Sequence, residues 1–477
     1  MSRRPGPSLA GQESAVGPAV SSAMRRAHLR YPAATGFGFS LSGPATWPQR
    51  RSGLAKELYC QEFVVGHRNS GNCRALGPAG KTAKGVEPRL DRTSVAMVTE
   101  ASGGGVLAWL KSTAPPLAAR GFDVTVAYWP RPETPPLETL APEFPGCRVV
   151  DLGPLSPGRG PAGLARGMRV FLERQRPEVV HLVSSWAGWA GRVVLWPRLA
   201  PGYRPRVTYY SPASFAFLRR DVSLPARLAF WAAEAMLSRT PATICLATSP
   251  HESRLARRLG GPVEDCFNAA AAPRSTPGGA LPEILALSGA PGGPDGLVVS
   301  GGRLEPQKDP LFMLDTADRV LRERPGTRFV WVGSGSLRAQ VDERLRRATP
   351  LVRDRLTFLP WLPQDQFLAL LGRATLLLHT ARWESLSMVL LEAMAREVPI
   401  VVRRGAGCHD VVEQEGCGLV ASRPEDAAEH VLRLLGSAEL RRKLGLRGGV
   451  AARGPYSFNR LLGDLERFYE GDKGGIA

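Results

Sequence analysis

Starting at residue 94, short apolar runs alternate with longer stretches that repeat at the helical period. SVAMVT runs into a glycine loop, Gly103, Gly104 and Gly105, and VLAWLKSTAPPLAARG continues as a helix that its two prolines should interrupt. FDVTVAYWP, CRVVDLG, EVVHLVSS, RVTYYS and ATICLATS read as strands, with helical segments such as AGLARGMRVFLERQRP and SLPARLAFWAAEAMLSRT between them. Short apolar strands separated by helices predict a parallel sheet covered on both faces. After an interval dense in proline and glycine the rhythm restarts with GLVVSGGRLEPQKDP, a helix from about residue 309, TRFVWVGSGS, LTFLPWLP, ATLLLHTA, PIVVRRG and GCGLVA. The expected fold class is α/β, with two Rossmann-like, doubly wound domains in tandem facing one another across a cleft. No internal sequence repeat accompanies this symmetry of architecture.

The same pattern sets the expected boundaries: 1–92 as an extension, 93–277 and 296–455 as the two domains, 278–295 as a linker, and 456–477 as a closing helix and tail. Residues 1–92 hold fourteen lysines and arginines against five acids and no sustained period. They read as a disordered extension, or as an upstream stretch outside the mature protein. A basic arm for nucleic acid or an acidic membrane is the sharper alternative. The whole chain carries a net charge of +19, and arginine supplies most of what the folded part contributes. That balance suits phosphate esters near anionic lipid, and no nucleic-acid partner is expected. No run of eighteen apolar residues predicts a membrane-spanning helix, and the start lacks the compact apolar segment of a secretory signal. The seven cysteines include no C-x-x-C pair, which argues against a zinc site or a disulfide framework. A cytoplasmic location follows as the expectation, with peripheral contact to the membrane left open.

Ligands of doubly wound sheets bind beyond the carboxyl ends of the strands. In the first half that places Gly104 and Gly105 at a helix start, where backbone N–H groups can meet an anion or a sugar; a tight turn is the plain alternative. In the second half GGRLEPQKDP sets Gly302, Arg303 and Lys308 after a strand, two cations able to clamp a diphosphate without a metal. Gly333 in VGSGS serves either packing or phosphate approach. RWESLSMVLLEAMAREVP holds Glu384 and Glu392 eight positions apart in apolar surroundings, roughly 12 Å if the whole stretch is helical. Each carboxylate can then take one hydroxyl-bearing end of a nucleotide diphosphate sugar, while the helix start at Leu386, Ser387 and Met388 points N–H groups at the diphosphate. The plain alternative for Glu392 is an i,i+4 pair with Arg396. No D-x-D pair exists to hold a nucleotide-bound metal.

RLEPQKDP, VGSGSLR, ESLSMVLLEAMAREVPIV and DVVEQEGCGLV, in that order, resemble the retaining glycosyltransferases of family 4, which have the GT-B fold and an E-x7-E motif. The resemblance covers residues 94 to about 472 and is most specific in the second half. It implies transfer of a sugar from a nucleotide diphosphate donor to an acceptor hydroxyl, with retention and without a cofactor or required metal. Arg303 and Lys308 would stabilise the departing diphosphate, Glu384 would touch the donor sugar, Glu392 would hold the ribose, and YSFNRLLGDLERFYE would cross back to the first domain. The acceptor class stays open between polysaccharide, glycolipid and other glycoconjugates.

The first half departs from the family at informative places. Val183 stands where the family has a second histidine, Trp186 where it has a lysine, and Ala213 where a histidine lies over the donor sugar. Ser214 is the nearest polar substitute. His181 remains as an acceptor-pocket candidate, or as a satisfied structural histidine. A donor-binding scaffold without turnover is therefore the rival expectation. Last, FAFLRRDVSLPARLAFWAAEAMLSR carries Arg219, Arg220 and Arg227 beside aromatic residues. It reads either as a helix on the sheet with its arginines in solvent or as a surface for anionic lipid.

Overall fold

Seven parallel strands build the first sheet: β1 (Ser94–Thr99), β2 (Asp123–Tyr128), β3 (Arg148–Asp151), β4 (Val179–Val183), β5 (Val207–Ser211), β6 (Thr243–Ala247) and β7 (Val263–Asp265). Six more form the second: β8 (Leu297–Gly301), β9 (Arg328–Val332), β10 (Leu356–Leu359), β11 (Leu376–His379), β12 (Ile400–Arg403) and β13 (Gly418–Ala421). The computed structural model describes residues 92–131, 134–156, 160–196, 202–270, 296–405 and 407–471. The extension expected over 1–92, apart from its last residue, the linker at 278–295 and the tail after 471 lie outside the described residues.

Strand order is β3-β2-β1-β4-β5-β6-β7 in one sheet and β10-β9-β8-β11-β12-β13 in the other. Each order reverses once, between β1 and β4 and between β8 and β11, and such switch points open the crevice where ligands of these sheets sit. Register brings the paired strand ends level, with Thr99 opposite Val183 across the first switch. Strands buried on both faces need apolar side chains on both. This is why VVHLV and LLLH read as continuous runs, and all nine of these residues are buried.

The helices that position the site, labelled in chain order, are α1 (Gly104–Ala119), α2 (Ser185–Val194), α3 (Leu224–Leu237), α4 (Pro250–Leu259), α5 (Pro310–Glu323), α6 (Gln364–Gly372), α7 (Met388–Ala395), α8 (Cys408–Glu415) and α9 (Phe458–Glu470). Contrary to expectation, α1 runs unbroken through Pro115 and Pro116. The prolines withdraw two backbone donors, but Trp109, Leu110, Ala114 and Leu117 bury against the first sheet and hold the helix across them. α9 lays Leu461, Leu462, Leu465, Phe468 and Tyr469 into that same core, so the C-terminal helix closes the first lobe.

Candidate functional site

At the second switch point the loop after β8 meets the loop after β11. Lys308 donates to both oxygens of Glu384, at 2.6 and 2.7 Å, and His379 Nε2 lies 3.1 Å from Glu384 Oε2. Burial alone would raise the Glu384 carboxyl, but the Lys308 ammonium and the His379 imidazole outweigh it and hold the group down at about 2. An ionised carboxylate only accepts, so His379 carries its proton on Nε2. Its Nδ1 is buried with no hydrogen-bond partner. Lys308 is thus ion-paired with Glu384 across the two loops. Arg303 remains exposed, with one long hydrogen bond of 3.3 Å to Gln307.

The two glutamates do not share a helix. Glu384 precedes α7, whose first residue is Met388, so the fully helical spacing does not hold. Glu392 lies in the helix and is 7% exposed, bonded by Gln364 Nε2 at 3.2 Å. Burial pushes its carboxyl up to about 7, against smaller opposing effects of Gln364 and Arg396. Arg396 hydrogen-bonds the Leu368 and Glu392 backbone carbonyls, so it leaves the carboxylate to Gln364. Ser387 stands at the N-cap position of α7 without a side-chain capping bond, its N–H points at Cys408 Sγ, 3.2 Å away, and Leu386 is buried in the second lobe's core. Of the three expected at the helix start, Met388 faces the first lobe.

Gly333 proves to be a packing glycine. A Cβ there would sit 2.1 Å from the Gly302 carbonyl oxygen, and its N–H is bonded to Leu359 O. Gly302 in turn lets the Lys308 stem lie 3.1–3.2 Å from where its own Cβ would be. The two glycines therefore seat the lysine and leave no N–H of Gly333 for phosphate.

From the first lobe, Gly104 takes the left-handed φ of +58° with open space beside it, and a Cβ on Gly105 would stand 3.7 Å from Met388 Cγ. The glycine loop thus faces the start of α7. The loop after β5 holds Ala213 and Ser214 at φ +55° and +119°, strained for residues with side chains. Glu252 fixes it by accepting from the Ser214 N–H at 3.1 Å, while the Ser214 hydroxyl is buried without a partner. His181 does not join the site. Its Nδ1 is 2.5 Å from the Tyr469 hydroxyl and its Nε2 is 2.8 Å from Ser211 Oγ. Ser211 has a carbonyl to donate to, so Nε2–H donates to Ser211 and Tyr469 donates to Nδ1. Burial holds the imidazole down at about 3, neutral and structural. Sequence reading missed His379, Gln364 and Glu100. Glu100, just beyond β1 at the first switch, is buried and accepts from Ser184 Oγ and the Ala187 N–H at the start of α2. Position at a strand's carboxyl end was the available signal for His379 and Glu100; Gln364 had none.

The lobes touch beside Glu384. Ser385 Oγ lies 3.0 and 2.8 Å from the hydroxyls of Thr248 and Ser249, and His251 and Arg254 of α4 meet Asp410 of α8. Among the described residues, His379, Glu384 and Cys408 have ligand-type atoms within 4.8 Å of one another, as do His409, Asp410 and Glu413. In the first group Lys308 occupies both Glu384 oxygens and burial pushes the Cys408 thiol up, so ion pairing suits these atoms better than ligation.

The family model for glycosyl transferases group 1 matches residues 289–448, and that for the glycosyl transferase 4-like domain matches residues 104–266. A D-inositol 3-phosphate glycosyltransferase of Nocardia farcinica is 31% identical over 188 residues, which is 38% of this chain and 41% of that protein. Spore coat protein SA of Bacillus subtilis is 26% identical over 183 residues, 36% of this chain and 48% of that protein. The match thus spans less than half the length of either curated relative. Among solved structures, Anabaena Alr3699/HepE in complex with UDP and glucose shares the fold, with a TM-score of 0.63 at 16% identity over 80% of this chain and 100% of that one.

Proposed function

Since this chain belongs to the family 4 glycosyltransferases, we propose that it transfers a hexosyl group from a nucleotide diphosphate sugar to an acceptor hydroxyl, with retention and without a required metal. The observation that carries this reading is the Lys308–Glu384–His379 group at the second switch point, with the buried Glu392 on the helix that follows. Glu384, held ionised, accepts hydrogen bonds from sugar hydroxyls and has no proton to give. Glu392 takes the ribose, and Gly104, Gly105 and Met388 line the path between the lobes.

In the step itself the bond from the anomeric carbon to the diphosphate oxygen breaks, and its electron pair leaves with the diphosphate. The acceptor oxygen bonds to the same face, and its proton passes to the departing diphosphate oxygen. No protein base is needed; Arg303 and Lys308 supply the electrostatic stabilisation. An ammonium has three N–H donors, so Lys308 can serve the diphosphate while keeping Glu384. The acceptor is a polysaccharide, glycolipid or other glycoconjugate in the cytoplasm, and UDP-sugars are the first donors to try because the HepE structure holds UDP and glucose.

Ala213 favours a second reading, a scaffold that binds donor without turnover. Melting of the full chain against a panel of nucleotide diphosphate sugars, read together with donor hydrolysis, separates the two. One donor should stabilise the protein, lose that effect in Glu392→Ala and be slowly hydrolysed. Undiminished turnover in an Arg303→Ala, Lys308→Ala double variant overturns the diphosphate role. Binding with neither hydrolysis nor transfer favours the scaffold, and no stabilisation by any donor overturns both readings.

A further inference from the structure

Helix α3 is inside out. Its solvent-facing positions are Leu224, Pro225, Leu228, Ala229, Trp231, Ala232 and Met236, without one charged side chain. Its acid, Glu234, is fully buried instead, taken by Arg192 at 2.8 Å, by Tyr210 OH at 2.9 Å and by the Trp189 indole N–H. Leu224, Leu228 and Trp231 recur at helical spacing along one stripe and are 62, 60 and 49% exposed, with Met236 at 59%. Of the eight large apolar side chains exposed among the described residues, five lie on α3 or on α2 beside it, so this is a patch and not scatter.

Cations frame the patch. Arg239 is exposed just after the helix, and Arg227 is half-buried on it, donating to Phe217 O at 3.0 Å; Arg220, just before the helix, turns instead toward Gly405 of the second lobe. Exposed Arg257 and Arg258 lead into Leu259, whose carbonyl accepts from Ser238 at the end of α3. The nearest acid in sequence, Asp221, is paired with Arg219, and Asp265 with Arg257. We infer that this face docks on an anionic lipid surface, with the leucines, Trp231 and Met236 entering the headgroup boundary and the arginines meeting lipid phosphate. A second copy is a poor occupant. A helix of 14 residues is about 21 Å long, which offers far less than the roughly 800 Å² per partner of a stable interface. Two such faces would also oppose arginine to arginine. The docking stands apart from the transfer reading, and either can fail without the other.

The test is flotation of the full chain with vesicles of phosphatidylcholine alone and of phosphatidylcholine mixed with phosphatidylglycerol. Binding is expected only to the mixed vesicles, weakening as salt rises. Leu228→Glu with Trp231→Glu, at exposed positions that leave the melting temperature unchanged, should cut it by at least about tenfold, and Arg239→Glu with Arg258→Glu should do the same. Equal binding by the Leu228/Trp231 variant would move the contact to the basic residues 1–92 and overturn the proposal. So would equal binding to both vesicle types, or a dimer that dissociates on these substitutions without lipid binding.

Discussion

Two carboxylates eight residues apart meet opposite electrostatics. Glu384 has Lys308 on both oxygens and stays ionised, whereas Glu392 has one neutral amide and is pushed up to about 7. A folded-state pKa above the unfolded one stabilises the fold below the unfolded value, and that contribution is lost as pH rises through the folded one. For Glu392 the window runs from the ordinary 4.5 to about 7. The stability of the native chain minus that of Glu392→Gln should therefore fall across that window, by up to roughly 3 kcal/mol at about 1.4 kcal/mol per unit. Urea melts of both proteins at several pH values check this; a difference independent of pH would show that the carboxyl is not perturbed. Burial of Glu392 was legible in the apolar MVLLEAMA around it. Its partner Gln364 was not, because 28 residues separate them.

The glycines differ at the scale of the element. Gly333 brings the turn after β9 against the turn after β8, and Gly105, the second residue of α1, faces α7 across the cleft. Gly333→Ala must displace the Gly302 carbonyl and adopt φ +140°, so it should cost about 3 kcal/mol or more in urea denaturation. Gly105→Ala meets only an ordinary contact with Met388 and should fold normally, so a loss of donor affinity in that variant reads the cleft directly. Near-native stability of Gly333→Ala would refute the packing role. The sequence marks both as glycines after strands and offers nothing to tell close backbone contact from an open ligand path. That distinction depends on which second strand-turn lies opposite.

Over the whole molecule, α9 carries the chain's end back into the first lobe, and Tyr469 reaches His181 from 288 positions away. Tyr469→Phe removes the donor to His181 Nδ1 and leaves that buried nitrogen unsatisfied, at a cost of about 1–3 kcal/mol. Denaturant melts should show this loss with donor affinity unchanged. An equal loss of donor affinity would return His181 to the cleft.

Alternation of apolar strands and helices determined two parallel sheets in tandem, because strands buried on both faces must be apolar throughout. Cations and glycines just past strand ends likewise marked the loop at 302–308, which meets Glu384, and the glycine loop at 104–105, which faces Met388. Tertiary structure alone decided who partners whom. Lys308 is tied to Glu384, His379 joins them from the end of β11, and His181 is taken by Tyr469. It also decided that α3 turns Leu228 and Trp231 outward and Glu234 inward. Periodicity reveals that a helix has an apolar face; only the surrounding packing determines whether that face meets a core or the solvent.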